Sequence, residues 1–280
     1  MRAGNWIALF ALVASGMGPV ARSNESCDFR ADRNTGWDAA GVVRIVIRTG
    51  AGDLKVHGSA DGRRIDAKGV ACAGKQALLD QSQVSVRREG NVVYVETKLP
   101  QDGDDGSWGR NEYAYIDLGI TVPDNIAVEA VDSSGDATFE DLKSLSLQDS
   151  SGDLTLARVA GSLAVTDSSG DLEIEKAGSV RVNDSSGDLD IDDVRGDVLV
   201  ANDSSGDIEI AKVDGSVTIE QDSSGTIRVE DVRGSVTVNN DSSGDIYAGR
   251  VKGDFTVKND SSGSIGHSAI GGKISVPRED

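Results

Sequence analysis

Apolar and polar residues alternate along most of the chain in short segments. Asp207-Ile208-Glu209-Ile210 and Ser216-Val217-Thr218-Ile219 are two of them, and β-branched residues fill most of their apolar positions. Alternation with a period of two predicts β-strands that bury one face. The segments are too short for helices and glycines separate them, so the pattern predicts an all-β protein.

A four-residue motif, Asp-Ser-Ser-Gly (DSSG), recurs between these segments. It begins eight times, in steps of 17 to 19 residues, at Asp132, Asp149, Asp167, Asp184, Asp203, Asp222, Asp241 and Asp260. A second glycine keeps the same spacing, at Gly161, Gly178, Gly196, Gly215, Gly234, Gly253 and Gly272. Two markers that stay in step through successive units predict a stacked repeat.

The predicted fold class is therefore all-β: a single-stranded parallel β-solenoid (β-helix) with about eight regular coils of 17–19 residues and an irregular N-terminal β cap. Successive coils would lie about 4.8 Å apart. Equivalent apolar residues would then stack, with Val217 between Val198 and Val236. Aromatic residues make up only 4% of the chain, which suits a narrow interior.

An amide residue precedes the motif in the later coils, at Asn202, Gln221, Asn240 and Asn259. Amide side chains that stack in register can hydrogen-bond to one another. The sequence therefore predicts an amide ladder at this corner, the alternative being four loop residues that never meet.

Aspartates recur at two positions of the motif, its first residue and the residue after its glycine. Counting back from an inward Ile246 predicts that Asp241 and Asp245 both face outward, which would form an acidic ladder along one face. A structural corner is one interpretation, because an Asp side chain can accept a hydrogen bond from a nearby backbone N–H. Calcium bound by the carboxylates is the other. The ladder comprises Asp149, Asp153, Asp167, Asp171, Asp184, Asp188, Asp203, Asp207, Asp241 and Asp245.

The chain begins with features of a secretory signal peptide. Arg2 is followed by an apolar stretch, residues 6–14, and then by small residues, which predicts cleavage after Ser23. The alternative is a buried or membrane-anchoring first helix. We therefore expect a signal peptide at 1–23, an irregular N-terminal β region and cap at 24–125, and the regular solenoid at 126–280, in a periplasmic or secreted protein with no transmembrane segment in its mature chain.

The net charge of the chain limits the classes of partner that it can bind. Cleavage would remove Arg2 and Arg22 and no acid, leaving 26 basic against 47 acidic residues, a net of −21. This charge excludes nucleic acid as a partner. We expect a monomer that binds an unknown envelope protein or surface component.

Two cysteines, Cys27 and Cys72, are the only ones in the chain. Export places them in an oxidising compartment, which favours a disulfide over two free thiols. Without nearby histidines they make a poor metal site.

No constellation of residues predicts catalysis or a bound cofactor. The two histidines, His57 and His267, lack a nearby cysteine or serine partner and are expected on the surface. The acidic loop 102–106 starts like an EF-hand, but Tyr113 stands where the bidentate Glu would be needed. We predict a solvated loop there and no enzyme, although a polysaccharide-acting β-helix enzyme is a remote alternative.

The segment Ile116–Asn125 (IDLGITVPDN), which leads into Asp132-Ser133-Ser134-Gly135-Asp136, resembles a bacterial β-strand-repeat family of unknown function, the "putative adhesin" family with SSGD-type repeats. The resemblance covers residues 43–275. It implies a β-solenoid in an exported or envelope-associated protein and supplies no catalytic residues. The leading hypothesis is thus a non-enzymatic exported envelope protein whose acidic face serves binding or adhesion, and the alternative is a calcium-stabilised structural rod.

Overall fold

The computed structural model describes residues 27–100 and 112–277, and these residues form a parallel β-solenoid of about eight turns. The predicted signal peptide at 1–23 and the acidic loop 102–106 lie outside the described residues. Within the described residues, no helix is long and apolar enough to cross a membrane.

Twenty-two strands and one short helix make up the described chain. Before the first DSSG motif these are β1 (Phe29–Asp38), β2 (Arg44–Arg48), β3 (Leu54–Ser59), β4 (Arg64–Ala73), α1 (Gln76–Gln81), β5 (Gln83–Glu89), β6 (Val92–Lys98), β7 (Ala114–Pro123) and β8 (Ala127–Val131). After it come β9 (Ala137–Glu140), β10 (Ser144–Gln148), β11 (Leu154–Thr166), β12 (Leu172–Asn183), β13 (Leu189–Val194), β14 (Val198–Asn202), β15 (Ile208–Val213), β16 (Val217–Ile219), β17 (Ile227–Val232), β18 (Val236–Asp241), β19 (Ile246–Val251), β20 (Phe255–Asp260), β21 (Ile265–Ile270) and β22 (Ile274–Ser275).

Each coil contributes one strand to each of two parallel sheets. The first sheet stacks β7, β3, β9, the first halves of β11 and β12, then β13, β15, β17, β19 and β21. The second stacks β6, β2, β8, β10, the second halves of β11 and β12, then β14, β16, β18, β20 and β22. From β8 onward, the strands of each sheet are therefore stacked in the order in which they occur in the chain.

The core lies between the two sheets and consists of columns of equivalent residues. Val217 pairs with Val198 on one side and Val236 on the other, as predicted, and all three are at most 1% exposed. Each such residue packs mainly against the coils directly above and below it. Stability should therefore approximate a sum over neighbouring coils.

Two structural constraints, the backbone conformation and the space available, require glycine at the last position of each DSSG motif. Gly206 has a φ of +127°, a left-handed conformation that side chains rarely adopt, and a Cβ there would lie 1.8 Å from the carbonyl oxygen of Gly187 in the preceding coil. The segment 49–53 forms an earlier version of the corner, in which Gly52 has a φ of +119° and the Thr49 hydroxyl lies 2.7 Å from the Asp132 carboxylate.

The opposite corner of each coil has one residue with a left-handed backbone that is not glycine. These residues have φ values between +53° and +59° and form one column: Asp141, Arg158, Lys176, Asp193, Lys212, Asp231, Arg250 and Ala269. From Lys176 to Arg250 the sign of the charge alternates at every coil. Ion pairs within the column link two pairs of neighbouring coils: Arg250 Nε lies 2.6 Å from the Asp231 carboxylate, and Arg158 Nε lies 2.7 Å from that of Asp141.

Antiparallel strands cover the end of the solenoid that is nearest the N-terminus. In the first sheet β4 pairs with β7 and β1 pairs with β4, while in the second β5 pairs with β6. Cys27, just before β1, and Cys72, near the end of β4, form a disulfide with their Cα atoms 5.7 Å apart. These strands supply hydrogen-bond partners for backbone groups that the first parallel strands would otherwise leave unpaired.

The predicted amide ladder forms in part. Asn259 Nδ2 donates to Asn240 Oδ1 over 2.9 Å. Asn202 Nδ2 donates instead to the backbone oxygen of Asp184, at 3.2 Å, and Asn240 Nδ2 donates to that of Glu220, also at 3.2 Å. A short amide side chain thus bonds the main chain of the preceding coil as readily as the next amide.

Candidate functional site

The predicted acidic ladder divides into two columns with different surroundings, and the prediction that both face outward is wrong for the first aspartate of the motif. Asp184 and Asp203 are completely buried and Asp241 is 2% exposed. The left-handed glycine interrupts the two-residue alternation, so counting back from Ile246 gave the wrong side. The inner column comprises Asp132, Asp149, Asp167, Asp184, Asp203, Asp222 and Asp241. The outer column comprises Asp53, Asp136, Asp153, Asp171, Asp188, Asp207 and Asp245.

Outer-column carboxylates bond to the backbone of the next coil. Asp188 Oδ1 accepts the N–H of Asp207 at 3.0 Å, and Asp207 Oδ1 accepts the N–H of Thr226 at 2.7 Å. Asp245 accepts the N–H of Ser264 in the same way, at 2.9 Å. These charge-assisted bonds offset repulsion between carboxylates on successive coils. They also explain why Thr226 and Ser264 can replace the aspartate, because the acceptor lies in the preceding coil.

Inner-column carboxylates have few partners. Asp184 Oδ1 accepts the N–H of Ser185 at 2.7 Å, but its Oδ2 is buried without a partner. The carboxylate oxygens of Asp203 and of Asp222 are buried and accept no hydrogen bond of good geometry, and the backbone N–H groups of the two serines that follow each aspartate only partly offset the cost of burial. An ionised carboxylate in such a place loses its hydration and gains little in return.

Protonation of the inner-column aspartates reduces the free-energy cost of burying their carboxylates. Burial raises the pKa of Asp222 to about 7, and repulsion from Asp203 and Asp241 adds to the rise. Burial likewise raises the pKa of Asp149 to about 7 and that of Asp184 to about 6. Asp149 and Asp222 are therefore about half protonated at pH 7, so the inner column carries less than its full formal charge.

The acidic surface lies instead on three consecutive coils of the first sheet. We call it the acidic patch, and its six members are exposed: Asp171, Glu173, Asp188, Asp190, Asp207 and Glu209. Glu173 pairs in register with Asp190, and Asp190 with Glu209. Arg228 follows Glu209 in the same row and ends the patch. Burial and then the neighbouring Asp192 carboxylate raise the pKa of Asp190, as expected where like charges crowd.

One further group of candidate metal ligands occurs within the described ranges. Ligand atoms of His57, Glu140 and Asp141 lie within 4.8 Å of one another. The Arg158 guanidinium already pairs with both carboxylates of this group, because it lies 2.7 Å from Asp141 and 3.1 Å from Glu140. It also lowers the pKa of Asp141. The group is thus a surface ion-pair cluster in which an arginine already supplies the positive charge.

The fold defines a class, the stacked-coil β-repeat proteins. Within that class the chain belongs to the Toastrack DUF4097 family, whose sequence profile matches residues 43–269. The predicted resemblance to a bacterial repeat family of unknown function is thereby confirmed.

Three solved structures illustrate the similarity. A "putative lipid binding protein" from Parabacteroides distasonis is 14% identical, with 88% of this chain and 97% of that chain covered and a TM-score of 0.42. A "putative adhesin" from Bacteroides fragilis is 15% identical with the same coverage and a TM-score of 0.39. Another from Parabacteroides merdae is 13% identical, covering 90% and 97%, with a TM-score of 0.37. No curated protein matches the chain.

Proposed function

We propose that the protein is a non-enzymatic, exported surface protein that binds a cationic partner through the acidic patch. The observation that carries the proposal is the register of Glu173, Asp190 and Glu209, which places exposed carboxylates on three successive coils. The N-terminal segment 1–23 supports export, and the adhesin names of related structures are compatible with a binding role at a cell surface.

The patch suits electrostatic recognition of several positive charges at once. Its rows are about 4.8 Å apart, so six carboxylates lie within roughly 10 Å along the solenoid axis. Such a field speeds association with a cationic surface and selects against anionic ones. Because the carboxylates are exposed, binding should weaken steeply as salt rises.

Two variants with equal changes in net charge test this function. Asp188→Asn, Asp190→Asn and Glu209→Gln together neutralise half of the patch, and Asn at 188 keeps an acceptor for the Asp207 N–H. A matched control, Asp61→Asn, Asp124→Asn and Glu220→Gln, removes three exposed carboxylates elsewhere. Replacing Asp149, Asp167 and Asp184 would not serve, since these side chains are buried.

The measurement is capture of envelope components from the source bacterium on immobilised residues 24–280. We expect the patch variant to lose the captured component at low salt, and the control to retain it. Retention by the patch variant would refute the acidic patch as the binding surface. Loss by both variants would show that only the total charge matters, which also contradicts the proposal.

The calcium-stabilised rod is the second candidate, and the geometry favours it less. Outer-column carboxylates such as Asp188 already use one oxygen to bond the next coil. Those of the inner column are buried and have raised pKa values. A polysaccharide-acting enzyme gains no support, because none of the family or structure names above is that of an enzyme.

A further inference from the structure

The last described coil, residues 260–277, leaves both sheets with an open edge. Strand β21 pairs with β19, and β22 pairs with β20. On the far side of β21 and β22 the structure places no strand among residues 27–100 and 112–277. Their outer backbone N–H and C=O groups therefore remain available for pairing with another strand.

Apolar side chains that every earlier coil covers are uncovered here. Ile246 and Phe255 are at most 1% exposed because the last coil lies on them. Ile265, which stacks on Ile246, is only partly buried, and Ile274, which stacks on Phe255, is 41% exposed. The end of the solenoid thus presents the cross-section of its core.

Charge fades toward this end. Residues 184–202 carry a net charge of −5 and residues 203–221 carry −4, whereas residues 241–259 carry none. Residues 260–280 carry a net charge of −1, from Asp260, Glu279 and Asp280 against Lys273 and Arg278. This end of a strongly acidic molecule therefore carries little net charge, and it can approach a like surface with little repulsion.

We propose that this end pairs with the same end of a second copy, so that two solenoids join tail to tail across a two-fold axis. Strands related by such an axis run antiparallel and can continue both sheets across the junction. The opposite end cannot be the partner, because the antiparallel strands β1, β4 and β5 already cover it. This proposal replaces the expectation of a monomer and is independent of the acidic patch.

Sedimentation velocity of residues 24–280 over a concentration series tests the pairing. We expect the molecular mass to double with a micromolar midpoint, and small-angle scattering to show a particle nearly twice as long. Ile274→Asp should weaken the dimer at least about a hundredfold, because the symmetric interface contains the change twice. Val43→Asp is the matched control, since Val43 is 54% exposed near the opposite end, and this variant should dimerise normally.

Cross-linking provides a second measurement, which does not depend on destabilising the last coil. The variant Ser275→Cys would supply a free thiol, because Cys27 and Cys72 are disulfide-bonded to each other. A short bismaleimide should cross-link this variant into a covalent dimer in dilute solution, and Ile274→Asp in the same chain should abolish the product. A monomer at every concentration, or a dimer that Ile274→Asp leaves intact, would overturn the proposal. Pairing of the coil with a strand of another protein instead of a second copy would also overturn it.

Discussion

Replacing one inner-column aspartate by asparagine should stabilise the solenoid, and more strongly at pH 8 than at pH 5. Asp222 is 1% exposed, its carboxylate oxygens accept no hydrogen bond of good geometry, and Asp203 and Asp241 flank it in the column. Asparagine has nearly the same shape, carries no charge, and can donate its amide N–H to a neighbouring carboxylate. Asp222→Asn therefore imitates the protonated acid.

The sign and size of the effect follow from the pKa of Asp222. In the folded chain this pKa is raised from 3.8 to about 7, so the folded state keeps the proton to a higher pH than the unfolded state does. The stabilisation from the protonated acid is complete below about pH 4 and is lost as pH rises through 7. About three pKa units at 1.4 kcal/mol each give a loss of about 4 kcal/mol at pH 8.

Thermal melting at pH 5 and at pH 8 measures this difference. For a chain of this size about 4 kcal/mol corresponds to a rise in Tm of roughly 8–16 °C at pH 8. At pH 5 the folded wild-type acid is protonated while the unfolded acid, with its pKa of 3.8, is largely ionised, so the difference should fall to about 1.7 kcal/mol, a rise in Tm of roughly 3–7 °C. Asp188→Asn is the matched control, because this outer-column aspartate is exposed and its oxygen keeps its backbone donor.

Two results would refute the reasoning. One is a shift in Tm of the same size at both pH values, which would mean that titration of Asp222 is not its cause. The other is destabilisation at pH 8, which would mean that the ionised carboxylate has partners that compensate for its burial.

The exposed pairs of Asp141 with Arg158 and Asp231 with Arg250 lower the pKa of their acids, but exposed ion pairs contribute little to stability.

Three further predictions concern the frame of the solenoid. Gly206→Ala should lower the free energy of unfolding by at least about 3 kcal/mol in urea melts, because its Cβ would lie 1.8 Å from the Gly187 carbonyl oxygen. The control, Gly90→Ala, places its Cβ in open space and should cost about 1 kcal/mol. Equal losses in the two variants would contradict this prediction. Cys72→Ala should cost about 4 kcal/mol, given the sequence separation of 45 between Cys27 and Cys72, and proteolysis should then begin in β1 rather than in the coils. Millimolar calcium should leave Tm within about 2 °C of its value in magnesium; a clear rise specific to calcium would restore the calcium-stabilised rod.

Sequence reasoning succeeded where the repeat itself carries the signal. The two glycine markers and the apolar alternation were enough to place Val217 between Val198 and Val236, because a constant spacing leaves a single register. It failed where the backbone departs from regular alternation. The direction of Asp241 depends on the left-handed Gly244, whose φ of +142° cannot be read from residue order.

The candidate site was predictable only in part for the same reason. Acidic composition predicted a charged face, but which carboxylates form it depends on register between coils. Asp190 and Glu209 lie outside the DSSG motif, and their place in the acidic patch emerges only when the coils are stacked. The antiparallel strands β1 and β4 were equally hidden, because pairing across distant segments leaves no periodic signal.

The left-handed corner, where Lys176, Asp193, Lys212, Asp231 and Arg250 succeed one another, constrains how such a chain can lengthen or shorten. Deleting a single coil would bring two side chains of the same sign into contact, for example Lys212 against Arg250, whereas deleting a consecutive pair of coils keeps opposite signs adjacent. Variants of this region shortened or lengthened by two turns, 38 residues as from Asp193 to Asp231, should therefore be more stable than variants changed by one turn, although Arg158 beside Lys176 shows that one like-signed step is tolerated.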